Sequence, residues 1–454
     1  MLIFIENTPR AYAWGSRDAL PELLGVAPTG EPQAELWLGD HPGAPASVAK
    51  ARRAPQTLID LIESDPERYG VDGAPGRHLP FLLKVLGIGA PLSLQVHPDK
   101  GQAEAGFARE EEAGLPCDAR ERNYGDPNHK PELLVALSEV SALCGFRPLV
   151  EARADLLALA AVAPDGPGRD ALDRAARWCA ASGGAEEREA RSSLLGWALG
   201  GDGAEAASAA ARAIAEAVAS IDDDRPGDED CGSVDGARAR IAADRLRSLR
   251  ELTAAHPGDP GVLISLLLHL VTLEPGQAVY LSARQLHAYL GGIAVEVMAA
   301  SDNVLRAGLT EKHVDAAEVL RIVDMATLDS PRLEPVSLAP GLIAWRPGVP
   351  DFVLKRARLG DPRDCAAHDE RDERLERAES VLVESEYPTV LVATSGRVRV
   401  ERVGAELSEV ASVGRGQSLY VSAGEPIEIS GLGEVFLATV GEGWSSVSQP
   451  SSEG

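Results

Sequence analysis

Cysteine is sparse and unpatterned: Cys117, Cys144, Cys179, Cys231 and Cys365 lie among 454 residues with no two at the spacing of a metal or redox pair. An odd, scattered set of thiols offers no thiolate metal site and fits a reducing compartment. Long apolar runs are missing as well. The longest, residues 262–271, contains His269 and falls far short of the ~20 residues that span a bilayer. The opening MLIFIENTPR has no basic segment and reaches Glu6 at once, so it reads as a first strand and not as a secretion signal. By elimination the chain is expected in the cytoplasm. Positive charge is also short: 44 Lys and Arg against 70 Asp and Glu give a formal net charge of -26. Such a surface repels nucleic-acid phosphates and anionic membranes, which excludes both as partners. Any anionic small-molecule substrate would have to be drawn in by a locally basic pocket.

Apolar residues are plentiful. With 44% hydrophobic residues the chain is globular, and its length suggests about two to four packed units. Short β-rich runs (LIFI, PFLLKVLGI, PLSLQVHP) fill the first part. From about Val150 the texture turns Ala-rich, with apolar residues at three- and four-residue spacing, the period of a helix. An acidic, Gly-containing run over residues 222–237 reads as a mobile loop in that block, and the tail QPSSEG reads as frayed. Strand texture returns at LEPGQAVYLSARQLHAYLGGIAVEVMAAS, a helical stretch EKHVDAAEVLRIVDMAT follows, and β-rich runs separated by Gly turns occupy the rest. The expected fold is mainly β with an α insertion. Its units are a discontinuous catalytic β domain (1–149 and 256–335), a helical insertion (150–255) and a C-terminal β domain (336–454).

Three segments carry potential chemistry. In PLSLQVHPDK a strand would turn Ser93, Gln95 and His97 to one face and Leu92, Leu94 and Val96 to the other, which sets Gln95 and His97 roughly 6.5–7 Å apart. In NYGDPNHKPELLVAL the residues His129, Lys130 and Glu132 stand just before an apolar run. In QLHAYLGGIAVEVMAASDNVLRAGLTEK, His287 is followed by Tyr289 and the pair Gly291-Gly292, while Glu296 shares a strand face with Ala294 and Met298. Each segment alone is equally readable as a solvated strand, an ordinary loop or a structural histidine. Taken together, two imidazoles, an amide oxygen and a carboxylate form an N/O donor set that suits zinc, with Mn, Fe(II) or Co as competitors.

The segments NTPRAYAWGSRDAL, AELWLGDHP, LPFLLKVLGIGAPLSLQVHPDK, GFAREEEAG, NYGDPNHKPELLVAL and HAYLGGIAVEVMAASDNVLRAGLT occur in the order found in the type I mannose-6-phosphate isomerases (phosphomannose isomerases), a family this chain resembles from Asn7 to Thr310. The resemblance implies two cupin-like jelly-roll domains plus a helical domain, and one Zn2+ per chain held by Gln95, His97, Glu132 and His287. It also implies a catalytic role for Arg306. The substrate it implies is a small sugar phosphate, handled by an expected monomer.

Converting such an aldose to a ketose requires removal of a carbon-bound proton and stabilisation of an enediol, tasks for a cation and a proton carrier. Lys130, His129 and Glu296 are the candidate carriers. Arg306 can grip an enediolate or phosphate with two parallel hydrogen bonds. Lys100 and Lys312 are further phosphate candidates. Trp14 and Tyr289 could wall the sugar, though core packing explains them as well. Two alternatives stand: a cupin-scaffold enzyme acting on a different sugar phosphate or with other metal chemistry, and a non-catalytic sugar-binding cupin. Gln95, where such other enzymes commonly carry a first histidine, speaks against the former.

Overall fold

The computed structural model describes residues 1–49, 56–221, 241–360, 379–404 and 408–444. The acidic loop read at 222–237 and the tail at 449–454 lie outside them. No helix among the described residues is long and apolar enough to cross a membrane.

A buried strand, Phe81–Ile88, anchors the first sheet. All eight of its residues are buried, as its near-continuous apolar run anticipates. It pairs antiparallel with the 13-residue strand His287–Ala299. That strand changes partners along its length: His287–Tyr289 lies against Gln95 and the strand Val140–Phe146, and residues beyond Gly292 lie against Phe81–Ile88 and Glu132–Ala136. A register shift between Tyr289 and Gly291 marks the change. Gly292 sits there at φ +110°, and a Cβ on it would come within 2.3 Å of the Glu139 carbonyl, so only glycine allows the bend. The bend turns both ends of one strand, His287 and Glu296, toward the same cavity.

The second sheet contains Val336–Ala339, Leu342–Trp345, Val353–Leu359, Gly424–Thr439, Thr389–Arg402 and Ser418–Val421 in spatial order, and the chain's own first strand, Leu2–Glu6, follows. Leu2 lies opposite Val421 and Ile5 opposite Ser418, so the opening run LIFI, read as a strand of the first β domain, completes the C-terminal sheet. The runs read as separate strands around GEPIEISG and EVFLATV form one 16-residue strand. The two sheets share a core in which Phe81, Leu133 and Val295 pack with Trp345, Phe352 and Phe436. The architecture is the antiparallel, cupin-like fold with inserted helices that the sequence implies.

Between the two parts of the first sheet run the helices Leu149–Val162, Pro167–Trp178, Gly184–Leu199, Gly201–Ser220 and Ala243–Ala255. Their apolar faces meet in a cluster that also holds Leu94, Val96, Leu286 and Leu305. Burial of each such side chain contributes about 1.5–3 kcal/mol. The helices therefore back the short strand Gln95–Val96, whose neighbours Leu94 and Val96 are fully buried.

Candidate metal centre

Three short strands align the polar groups. In Cα register Gln95 lies opposite His287 on one side and opposite Arg306, in the strand Leu305–Arg306, on the other. Directly opposed residues of adjacent strands share a face and sit about 4.5–5.5 Å apart at Cβ. The alternation is realised over residues 94–96, where Leu94 and Val96 face the helices and Gln95 faces a cavity with Glu132, His287 and Tyr289. Leu92, expected on the helix side, instead lines that cavity, because the regular strand covers only Gln95–Val96. Gln95 Nε2 donates to Ser93 Oγ at 3.4 Å.

Glu132 is the centre of the cluster. One of its oxygens lies 3.2 Å from His97 Nε2 and 3.3 Å from Lys130 Nζ; the other lies 3.3 Å from His287 Nε2 and accepts from the Tyr289 hydroxyl at 3.4 Å. All of these side chains are buried. Burial by itself would raise the Glu132 pKa, but the charge of Lys130 holds it well below the usual carboxylate range. Burial pushes His97 down to about 4, against the pull of Glu132, so the ring is neutral at pH 7.

The tautomers follow from the outer hydrogen bonds. His97 Nδ1 lies 2.6 Å from the Asn303 carbonyl and His287 Nδ1 lies 2.9 Å from the Gln285 carbonyl. A carbonyl only accepts, so each Nδ1 carries a proton, and the neutral His97 ring presents an Nε2 lone pair to Glu132. His97 Nε2 is buried with no hydrogen-bond partner despite the carboxylate 3.2 Å away. A lone pair and an anionic carboxylate aimed at one another repel unless a cation lies between them. Ligand atoms of His97, Glu132 and His287 all fall within 4.8 Å of one another, so the donor set fits a zinc ion.

A second row stands beside the first. Lys84 Nζ lies 3.4 Å from Glu35 and 3.4 Å from Glu296, over the Trp37 ring. Burial, then the charge of Glu132, raises Glu296 to about 7, against the pull of Lys84. Burial works against the charged form of Lys84, but Glu35 and Glu296 outweigh it and hold the lysine protonated. Sequence reasoning missed Lys84 and Glu35. A lysine in the middle of the apolar run PFLLKVLGI was the available signal.

The other expected residues spread outward. Arg306 is half-buried and makes no side-chain hydrogen bond or ion pair among the described residues; burial lowers its pKa. Lys312 is exposed and likewise has no side-chain partner among the described residues; partial burial and then the charge of Arg306 lower its pKa. Lys100 is exposed and donates to Asn128 Oδ1 at 3.0 Å. Trp14 packs on the apolar cluster of Leu92 and Tyr289 and stacks on Tyr12, an arrangement of packing. Tyr289 lines the cavity, and burial, followed by the charges of Glu132 and Glu296, raises its pKa far above the usual range. Asn303, also missed, is completely buried. Its side chain binds the backbone of residues 125–128 while its carbonyl holds His97.

Comparison with known proteins places this geometry among relatives. Residues 2–149 match the family model described as phosphomannose isomerase type I, catalytic domain. The mannose-6-phosphate isomerase of Escherichia coli is 37% identical over 360 residues, 78% of this chain and 83% of that protein. That of Emericella nidulans is 31% identical over 401 residues, 84% of this chain and 80% of that protein. A crystal structure of zinc-bound mannose 6-phosphate isomerase superposes with a TM-score of 0.78 at 30% identity and covers 97% of this chain and 99% of that one.

Proposed function

Because the chain belongs to the type I mannose-6-phosphate isomerase family, we propose that it interconverts mannose 6-phosphate and fructose 6-phosphate with one zinc ion held by Gln95, His97, Glu132 and His287. The observation that carries the reading is the convergence of two imidazole Nε2 atoms on a buried carboxylate, with Arg306 in the adjacent strand. Bound there, zinc supplies Lewis-acid stabilisation of negative charge on sugar oxygens.

The chain's own groups account for the remaining tasks. Isomerisation moves a proton from C2 to C1 through an enediol. A carrier must accept and return that proton near neutral pH, which suits Glu296, raised to about 7 by burial. Lys130, buried at 3.3 Å from Glu132, is the other candidate on this side of the cavity. Arg306, with no carboxylate partner, is free to grip the enediolate or the phosphate. Lys312 and Lys100 add positive charge on the approach, and Tyr289 closes one wall. Trp14 supports that wall from the cluster behind Tyr289.

The same reading divides the chain into a catalytic β domain (1–149 and 256–335), a helical insertion (150–255) and a C-terminal β domain (336–454), working as a monomer because one chain supplies the whole site. Buried free thiols at Cys144 and Cys179 support a cytoplasmic setting. The test is direct. Chelator-treated protein should lose turnover on mannose 6-phosphate and regain it with one equivalent of Zn2+, while glucose 6-phosphate should be a poor substrate. Full turnover after verified metal removal would end the reading.

A further inference from the structure

One polar contact joins the C-terminal β unit to the loop that leads into the metal centre. His129 Nε2 lies 2.9 Å from Asp351 Oδ2. The two residues are 222 positions apart, and their side chains are 21% and 8% exposed. Asp351 is rigidly held. It precedes the strand Val353–Leu359, its neighbour Phe352 is fully buried in the shared core, and the Pro350 carbonyl accepts from Gly441 N at 2.9 Å. No other hydrogen bond or ion pair is made by the Asp351 side chain among the described residues, and His129 has no other side-chain partner there. A buried carboxylate left without a partner costs several kcal/mol, so this aspartate is committed to one imidazole.

The commitment has a chemical consequence. A carboxylate only accepts, so His129 Nε2 carries the proton and donates it to Asp351. The contact also fixes the residue immediately before Lys130, three positions ahead of Lys130's ion-pair partner Glu132. We propose that Asp351 is a positioning residue for the isomerisation: from the C-terminal unit it sets the ring and tautomer of His129 and with them the placement of Lys130. The proposal rests on the isomerase reading above and gives the C-terminal β unit a part in catalysis.

The experiment uses the zinc-loaded full chain with mannose 6-phosphate, comparing wild type, Asp351→Ala, Asp351→Asn, His129→Ala and the Asp351→Ala/His129→Ala double variant. Asp351→Ala should lower kcat about ten- to a hundredfold, part of the ~10²–10⁴ that a positioned proton carrier supplies. KM should change less than about twofold and zinc content should be unchanged. Asp351→Asn keeps an acceptor oxygen and should recover most of kcat. In the His129→Ala background the further loss from Asp351→Ala should be under about twofold, since a residue acting only through its partner has nothing left to act on. A kcat for Asp351→Ala within about twofold of wild type overturns the proposal, as does an equal loss in both backgrounds. If Asp351→Ala does not fold, Asp351→Asn decides: a loss beyond about tenfold in protein of native thermal stability and full zinc content overturns it. An inactive zinc-loaded wild type would remove the isomerase reading and this proposal with it.

Discussion

Replacing Asn303 by alanine tests how the metal centre is organised. Its side-chain oxygen accepts from Gly125 N at 2.8 Å and Asp126 N at 3.3 Å, and its nitrogen donates to the Asp126 and Asn128 carbonyls at 2.7 and 2.8 Å. Alanine removes these four and a longer fifth, from the same nitrogen to Asp126 Oδ1 at 3.4 Å. Each bond contributes about 1 kcal/mol net, and a buried group left unpaired costs about 1–3 kcal/mol. The loop is partly exposed, so water replaces some of these bonds, and a loss of about 3 kcal/mol in unfolding free energy is expected. Residues 125–128 lead into Glu132, and the Asn303 carbonyl fixes the His97 tautomer. Loss of such an outer support lowers metal affinity about 10–100-fold. At fixed saturating zinc, that reduces the stabilisation by bound metal by a further ~1.4–2.7 kcal/mol. Urea unfolding of metal-free and zinc-loaded protein, with zinc competition against a chelator of known affinity, measures both quantities. Stability and zinc affinity both equal to wild type would refute the argument.

Two further predictions address the reaction and its pH dependence. Arg306→Ala should cut kcat about 10²–10³-fold, the scale of removing one charge-stabilising donor, with zinc content unchanged; loss of zinc along with activity would show that Arg306 supports the metal. Glu296 has a folded pKa of about 7 against the usual 4.5, so between those values the folded metal-free protein holds a proton that the unfolded chain has released. Its stability should therefore fall as pH rises from about 4.5 through 7, by about 3 kcal/mol at most. Glu296→Gln should flatten that slope in urea titrations, and an unchanged slope would mean the proton resides elsewhere.

Gln95, His97, Glu132 and His287 drew notice as polar donors among apolar residues, and the family resemblance joined them into one set; the structure brings His97, Glu132 and His287 within reach of one ion. Their convergence was not legible from pattern alone, because it depends on the bend at Gly292 and on pairing across the helical block. Lys84 was visible as an anomaly in PFLLKVLGI, yet its partners Glu35 and Glu296 come from other strands, and no local period reports them. The same reason hides Asp351 from His129 and Asn303 from the loop at 125–128. The run LIFI was correctly readable as a strand, but its sheet was not: strand propensity is a local property, and the partner Val421 is supplied by topology.

The charge distribution gives the last physical constraint. In a chain with 70 acidic residues, a half-buried arginine and a neighbouring lysine would readily find carboxylates, yet Arg306 and Lys312 face none among the described residues, and burial lowers the pKa of each. Leaving cations partly desolvated and unpaired costs free energy that folding alone gives no reason to spend. Across the strand from Arg306, carboxylates are abundant but already engaged: Glu132 with Lys130 and the histidines, Glu35 and Glu296 with Lys84. The fold thus keeps its inner acids paired with Lys84 and Lys130 while holding two outer cations open. Under the proposed function, the open pair is where an anionic sugar phosphate would be attracted, the means by which a protein of net charge -26 would recruit a substrate of its own sign.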